Sequence, residues 1–383
     1  MMNASLTFEV LVNVVKMLVI FLMMVQIVPI LVWVERRGSA FIQNRLGPNR
    51  IGPLGLTQLL ADAVKFLFKE EYLPKNAVPL LYLGAPIMAL IPGALAFNSI
   101  PLSSPIQIEA FQAFGQNFGP YTFLMQGYDF GIGIVFVLAI SSLGAYSILM
   151  AGYGSANKFA LMGALRASAQ MVSYELALGL SLVGILLLYG TFSFNEMIAA
   201  QNGLMTFTFL GHQVVNFPLP NWGIFYQPLG ALIFFAATFA ESNRLPFDLP
   251  EAEGELVAGF HTEYGGMKFN MFFIGEYGHM MVACALMIVF YFGGFAIPWI
   301  SNETVASWFA GQSLTISSVL TSVVFLASFL FKMTLLLWIF IWVRWTLPRF
   351  RYDQLMNLGW KTMLPWALFN TIATAVWLLV AHS

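Results

Sequence analysis

Eight runs of about twenty apolar residues, at 11–34, 78–99, 130–152, 168–190, 223–240, 272–299, 314–343 and 362–381, leave this chain few ways to fold. A helix needs roughly 20 such residues to cross the hydrocarbon core of a bilayer. The spacing therefore predicts an all-α integral membrane protein of about eight transmembrane helices. Charge agrees: 9% of the residues are Asp, Glu, Lys or Arg, against about 25% in a soluble domain. No Ser/Gly linker or low-complexity tract divides the chain, so residues 1–383 read as a single membrane domain. The N-terminus has no basic region followed by a small-residue cleavage site, so the first run is expected to remain as a helix.

Basic residues fix the expected topology. Arg36, Arg37, Arg45, Arg50, Lys65, Lys69 and Lys75 fall in 35–77; Lys158 and Arg166 in 153–167; Arg244 and Lys268 in 241–271; and Arg344, Arg349, Arg351 and Lys361 in 344–361. These are fifteen of the seventeen Lys and Arg residues, and the alternate loops 100–129, 191–222 and 300–313 hold none. Positive residues stay on the cytoplasmic side, so both termini are expected on the opposite side. Trp33, Trp222, Trp342, Trp345 and Trp360 sit at span ends, where indole rings anchor at the interface.

Within the first basic loop, residues 54–70 place Leu56, Leu59, Leu60, Ala63, Val64, Leu67 and Phe68 at helical spacing, with Gln58, Asp62, Lys65 and Lys69 on much of the other face. Too short and too charged to span, this segment is expected to lie along the interface as an amphipathic helix. It serves either as a simple anchor or as the lip of an opening for a lipid-soluble ligand.

Several chemistries are excluded. A single cysteine, Cys284, allows no intrachain disulfide and no Cys-rich iron–sulfur or zinc site. Of four histidines only His279 falls mid-span, so no pair of axial haem ligands exists. No phosphate-binding loop and no complete G-x-G-x-x-G dinucleotide fingerprint is present. A net charge of −1 gives no case for nucleic acid. Electrons for any redox role must arrive from another chain.

What remains is carboxylates. The third basic loop carries Glu241, Asp248, Glu251, Glu253, Glu255 and Glu263 around Arg244. Crowded carboxylates repel, which raises some pKa values towards neutrality and suits them to proton exchange; a solvated acidic loop has the same composition. Glu175, Glu276 and Lys332 lie inside spans, where a charge costs about 2.5–3.5 kcal/mol on insertion scales and so faces a partner or a water-filled path. Buried ion pairs joining helices are the alternative to a proton path.

At these loops the sequence resembles the H-type membrane subunit of proton-pumping NADH:quinone oxidoreductase, respiratory complex I, the family of the first mitochondrially encoded subunit. The resemblance rests on ERRGSAFIQNRLGPNRIGPLGLTQLLADAVKFLFKE (35–70), ALRASAQMVSYE (164–175), AESNRLPFDLPEAEGELVAGFHTEYGGMKF (240–269), GEY (275–277) and LPRFRYDQLMNLGWK (347–361), about a quarter of the chain. It implies a quinone entrance and tunnel to which Glu35, Arg36, Arg45, Asp62 and Arg351 belong. It also implies a proton relay through Glu241, Asp248, Glu251, Glu253, Glu255, Glu263 and Glu276 into the membrane at Glu175, with Arg244 and Lys332 as charge partners. No redox centre would reside in this chain: quinone is the substrate, and FMN and iron–sulfur clusters belong to partner subunits. The implied neighbours are the two quinone-site subunits of the hydrophilic arm and small membrane subunits, in an energy-transducing inner membrane expected to be bacterial. Three other readings are a homologous subunit of a membrane-bound hydrogenase-type complex, a stand-alone ion or solute transporter, and a structural anchor. The outer stretches 100–129 and 191–222 carry no recognisable motif.

Overall fold

A computed structural model describes residues 4–113, 116–118, 120–209, 212–248 and 258–382 of the chain. The first apolar run forms α1 (Ala4–Ile42), which at 1.5 Å per residue is about 58 Å long and overhangs a bilayer core. A 3-10 turn at Pro53–Gly55 leads into α2 (Gln58–Phe68), the amphipathic helix, with Leu60, Val64, Leu67 and Phe68 all exposed. Then follow α3 (Pro79–Ser99), the paired segments α4 (Gly133–Ser141) and α5 (Leu143–Gly154), α6 (Lys158–Tyr189) and the short α7 (Phe194–Ala200). The second half holds α8 (Gly223–Tyr226), α9 (Pro228–Glu241), α10 (Gly266–Tyr291), α11 (Asn302–Ser307), α12 (Leu314–Thr346), α13 (Tyr352–Asn357) and α14 (Leu364–His382). A π-helical turn over Leu358–Met363 joins the last two.

Among the described residues seven helical stretches are long and apolar enough to cross a membrane. The fifth expected span, 223–240, departs from the expectation. It breaks at Gln227, where φ is −133° and ψ 61°, and leaves the 14-residue α9, only about 21 Å long. Pro228 supplies no amide hydrogen and sits at the start of α9, where none is needed. Irregular backbone at membrane depth is tolerated when protein encloses it. Here Gln227 is buried, donates to Thr374 at 2.6 Å and accepts from Asn370 at 3.0 Å, both on α14.

The helix α10 is the axis of the bundle, with every residue from Met280 to Tyr291 buried. It packs closely on α3: a Cβ at Gly275 would lie 2.7 Å from the Ala89 carbonyl oxygen, so only glycine permits this approach. The expected span 272–299 stops early, at Tyr291, because Gly293 and Gly294 turn the chain with φ of 70° and 57°.

The outer stretches are not bare loops. In the first, β1 (Ile106–Ile108) pairs antiparallel with β4 (Tyr121–Phe123) around an inner pair, β2 (Phe111–Ala113) and β3 (Gln116–Phe118). In the second, β5 (Leu204–Phe209) pairs with β6 (His212–Pro220). The first hairpin grips the start of α12: Glu109 accepts from the Leu314 amide at 3.1 Å, and Ser318 donates to the Gln107 carbonyl at 3.0 Å. A carboxylate at a helix N-terminus satisfies an orphan amide and the helix dipole together.

The basic loops converge at the other end. There the Phe350 amide donates to Pro246, Tyr82 donates to the Glu263 carbonyl, and Tyr82 stacks on Tyr264 with ring centroids 4.3 Å apart.

Candidate functional site

Glu35 lies near the basic end of α1 and is 6% exposed. A buried carboxylate needs charged or hydrogen-bonding partners, and three elements supply them. The Tyr277 hydroxyl from α10 donates to it at 2.6 Å, and Arg344 from α12 at 2.5 Å. Arg244, from the segment after α9, approaches within 3.6 Å and lies 4.0 Å from the Tyr277 ring centroid. Arg244 is 5% exposed, and two of its three guanidinium nitrogens have no hydrogen-bond partner among the described residues. Burial works against its charge, but Tyr277, Glu35 and Glu276 together outweigh that and hold its pKa above the usual arginine value. The group is a fixed cation.

Glu35 and Arg344 form the inner wall of a cleft of about 570 Å³, whose lining also includes Arg36, Arg45, Gln58 and Tyr277. Arg36 donates to Asp62 of α2 at 2.6 Å, and Gln58 donates to the same carboxylate at 3.0 Å, so α2 is tied to the cleft mouth by its polar face. Glu35, Arg36 and Arg45 thus meet in one cleft, with Asp62 one contact behind. Arg351 does not join them: it is exposed and pairs with Asp353 at 3.4 Å.

From Arg244 the charged series continues inward. Arg244 interacts with Glu276, which shares with Glu241 and His279 the lining of a cavity of about 30 Å³ beside Gly144 and Ser147. That volume admits a water or two, and the wall offers several polar partners. Glu241, the last residue of α9, in turn interacts with Glu175. Glu175 is half-buried on α6, which begins at Lys158 and not near 168, so it lies near the middle of a 32-residue helix. The turn that carries it is clamped: Trp360 in the π-helical turn donates to Ser173 at 3.1 Å, and Tyr174 donates to the Leu355 carbonyl at 2.9 Å.

The other sequence candidates lie apart. Asp248 is buried and paired with Arg349 at 3.0 Å, bracing the third basic loop against the fourth. Glu263 accepts from Asn157 at 2.7 Å and lines a separate, open cleft with Lys75 and Lys158. Glu251, Glu253 and Glu255 lie outside the described residues. Lys332 corrects an expectation. It has no carboxylate partner among the described residues; its ammonium donates to the carbonyls of Phe292, Gly294 and Ala296 at 2.8, 2.8 and 2.6 Å. The early end of α10 leaves those carbonyls outside the helical ladder, at the negative end of the helix dipole, where a cation is stabilised.

Three site residues escaped the sequence reading. Tyr277 stands next to Glu276 in the GEY motif, and His279 is one turn on, the spacing that shares a helix face. Both signals were local and usable. Arg344 carries none, since only tertiary packing brings α12 to α1. Among the described residues no group of three or more His, Cys, Asp or Glu side chains is placed to hold a metal ion.

Comparison with known proteins identifies the family. The sequence pattern of the NADH dehydrogenase family matches residues 15–375. The chain is 66% identical over 376 residues to the NADH-quinone oxidoreductase H subunit of Bdellovibrio bacteriovorus, covering 98% of each chain. It is 41% identical over 348 residues to an H subunit of the same enzyme from Cytophaga hutchinsonii, covering 91% of each. An H subunit from Geobacter metallireducens is 40% identical over 372 residues, covering 97% of this chain and 98% of the relative.

Proposed function

The chain belongs to the NADH dehydrogenase family, as an H-type membrane subunit of NADH-quinone oxidoreductase, and from that membership we propose that it forms the quinone entrance and relays quinone reduction towards proton translocation. One observation carries this reading: Glu35 pairs with Arg244, Arg244 feels the charge of Glu276, Glu276 and Glu241 line one small cavity, and Glu241 feels the charge of Glu175.

Quinone would enter beside α2, whose exposed apolar face suits the membrane interface. The cleft would carry it towards the two quinone-site subunits of the hydrophilic arm, and FMN and iron–sulfur clusters in partner subunits would supply the electrons. Forming quinol consumes two electrons and two protons. Charge appearing near the cleft acts first on Glu35, which two arginines and a phenol hold in place. Arg244 faces both Glu35 and Glu276, so a change on one side alters the field on the other. Coupled carboxylates share protons as a set, and a water in the small cavity would let Glu276 and Glu241 exchange one. Glu175 would then pass the change towards pump modules in neighbouring subunits. The basic end faces the cytoplasm in this reading, and both termini lie on the opposite side.

The test is Glu175→Gln in the intact complex. Assembly is expected to be retained while proton pumping, measured by acidification or dye quenching in vesicles, is impaired. Normal pumping would sink the relay.

A further inference from the structure

His279 of α10 lines the cavity of about 30 Å³ together with Glu276 and Glu241, and neither of its ring nitrogens has a hydrogen-bond partner among the described residues. A neutral imidazole carries one donor and one acceptor, and leaving them unmade inside protein is costly. Packing alone accounts poorly for the residue, since an apolar side chain of similar size would fill the same seat without that penalty. The ring's partners are therefore to be found in the cavity.

Its surroundings give the ring a direction. The Nε2 edge faces bare Gly144 of α5, where a Cβ would lie 3.4 Å from Nε2. Ser141, one turn before Gly144, hydrogen-bonds the Glu241 carboxylate. Glu276 stands one turn before His279 on α10, the spacing at which side chains are neighbours. The imidazole is thus bracketed by two acids, Glu276 on its own helix and Glu241 at the end of α9. The other helices on this wall add no titratable group: α3 gives Ala89, α5 gives Ser147 and Ile148, and α6 gives Met171. The side-chain oxygen of Asn243, a residue of the same wall, is buried without a hydrogen-bond partner among the described residues. It is an acceptor awaiting a donor, which a water or a protonated imidazole supplies.

We propose that His279 carries the proton between Glu276 and Glu241, a step that rests on the relay reading of these acids. The Glu276 carboxyl gives its proton, directly or through one water, to one ring nitrogen. The imidazolium then loses the proton on its other nitrogen to the Glu241 carboxylate. One proton leaves Glu276, one arrives at Glu241, and the ring ends neutral as its other tautomer. A ring flip or the reverse transfer restores the first. Arg244, which interacts with Glu276, favours the ionised carboxylate and so the first transfer. The Asn243 oxygen steadies the ring while it is charged.

The test uses the intact complex and two variants of one position. His279→Ala should lower pumping-coupled turnover about a hundredfold, while quinone KM and NADH oxidation by an artificial acceptor stay unchanged. Added imidazole should restore part of that turnover, because the vacated seat admits it. His279→Gln hydrogen-bonds and fills the seat but takes no proton, so it should lose as much and show no rescue. A merely structural role gives the opposite pattern, with glutamine active and imidazole without effect. Wild-type turnover in His279→Gln, or a loss in His279→Ala that imidazole leaves untouched, would overturn the proposal. If alanine blocks assembly, glutamine alone decides. Failure of the relay itself is read elsewhere: Glu175→Gln would then pump normally, whereas an idle His279 leaves Glu175→Gln impaired.

Discussion

The Tyr277 hydroxyl donates to Glu35 across 2.6 Å while the Arg244 guanidinium lies over the same phenol ring, so one side chain of α10 serves an anion at its edge and a cation on its face. Removing the anion leaves two arginines facing each other without their counter-ion. Glu35→Gln is expected to cost about 3–5 kcal/mol, seen as a lowered melting temperature of the complex or a reduced amount of this chain in it. Arg344→Gln should cost less in the Glu35→Gln background than alone, the signature of a direct coupling.

Filling the small cavity tests whether it conducts. Ser147→Val adds carbon where Glu241, Glu276 and His279 converge, without touching the cleft. Pumping-coupled turnover is expected to fall roughly tenfold, an increment of about 1.4 kcal/mol in the barrier. The melting temperature of the complex should stay near wild type. Unchanged turnover would mean that no proton passes there.

Lys332→Met keeps the apolar stem and removes three charge-assisted hydrogen bonds, each worth about 1.5–3 kcal/mol in context. The carbonyls of Phe292, Gly294 and Ala296 then face the interior without that donor. Amide hydrogen exchange should rise sharply over 292–301. The apparent KM for quinone should be unchanged, because the cleft residue Arg344 lies about 18 Å further along α12.

Asp62 and Arg36 make the opposite case. Their side chains are 24% and 48% exposed, so the pair is worth about 0–1 kcal/mol. Asp62→Asn is expected to leave melting unchanged. Quinone KM should rise several-fold, because α2 loses its tether at the cleft mouth. A KM equal to wild type would remove α2 from the entrance.

Hydropathy made most of the bundle legible, because a twenty-residue apolar run has one stable form in lipid. The alternation of Lys and Arg likewise foretold which loops meet, as Arg349 and Asp248 do. The break at Gln227 was hidden by the apolar residues on both sides of it, although Pro228 marked the place. The strands at 106–123 and 204–220 are short, and without a continuous apolar face they leave little period to read. Site residues on one helix face, such as Glu276 and His279, could be linked by spacing. Lys332 misled for a physical reason: a buried cation can be satisfied by carbonyl dipoles as well as by a carboxylate, and sequence does not distinguish the two.

The Glu35–Arg344 contact joins residues 309 positions apart, and that separation is also an interval of time. At elongation speeds of roughly 5–20 residues per second, Arg344 is made about 15–60 s after Glu35. Until Arg244 and then Arg344 are made, the first helix is already in the membrane with an acid at its end and neither of its arginine partners. The acid is tolerable then only because it sits at the water-facing boundary of its span. The arrival of α12 is therefore an electrostatic step: it seals Glu35 away from water, and a chain cut before residue 344 would insert its early helices yet leave the cleft unlocked.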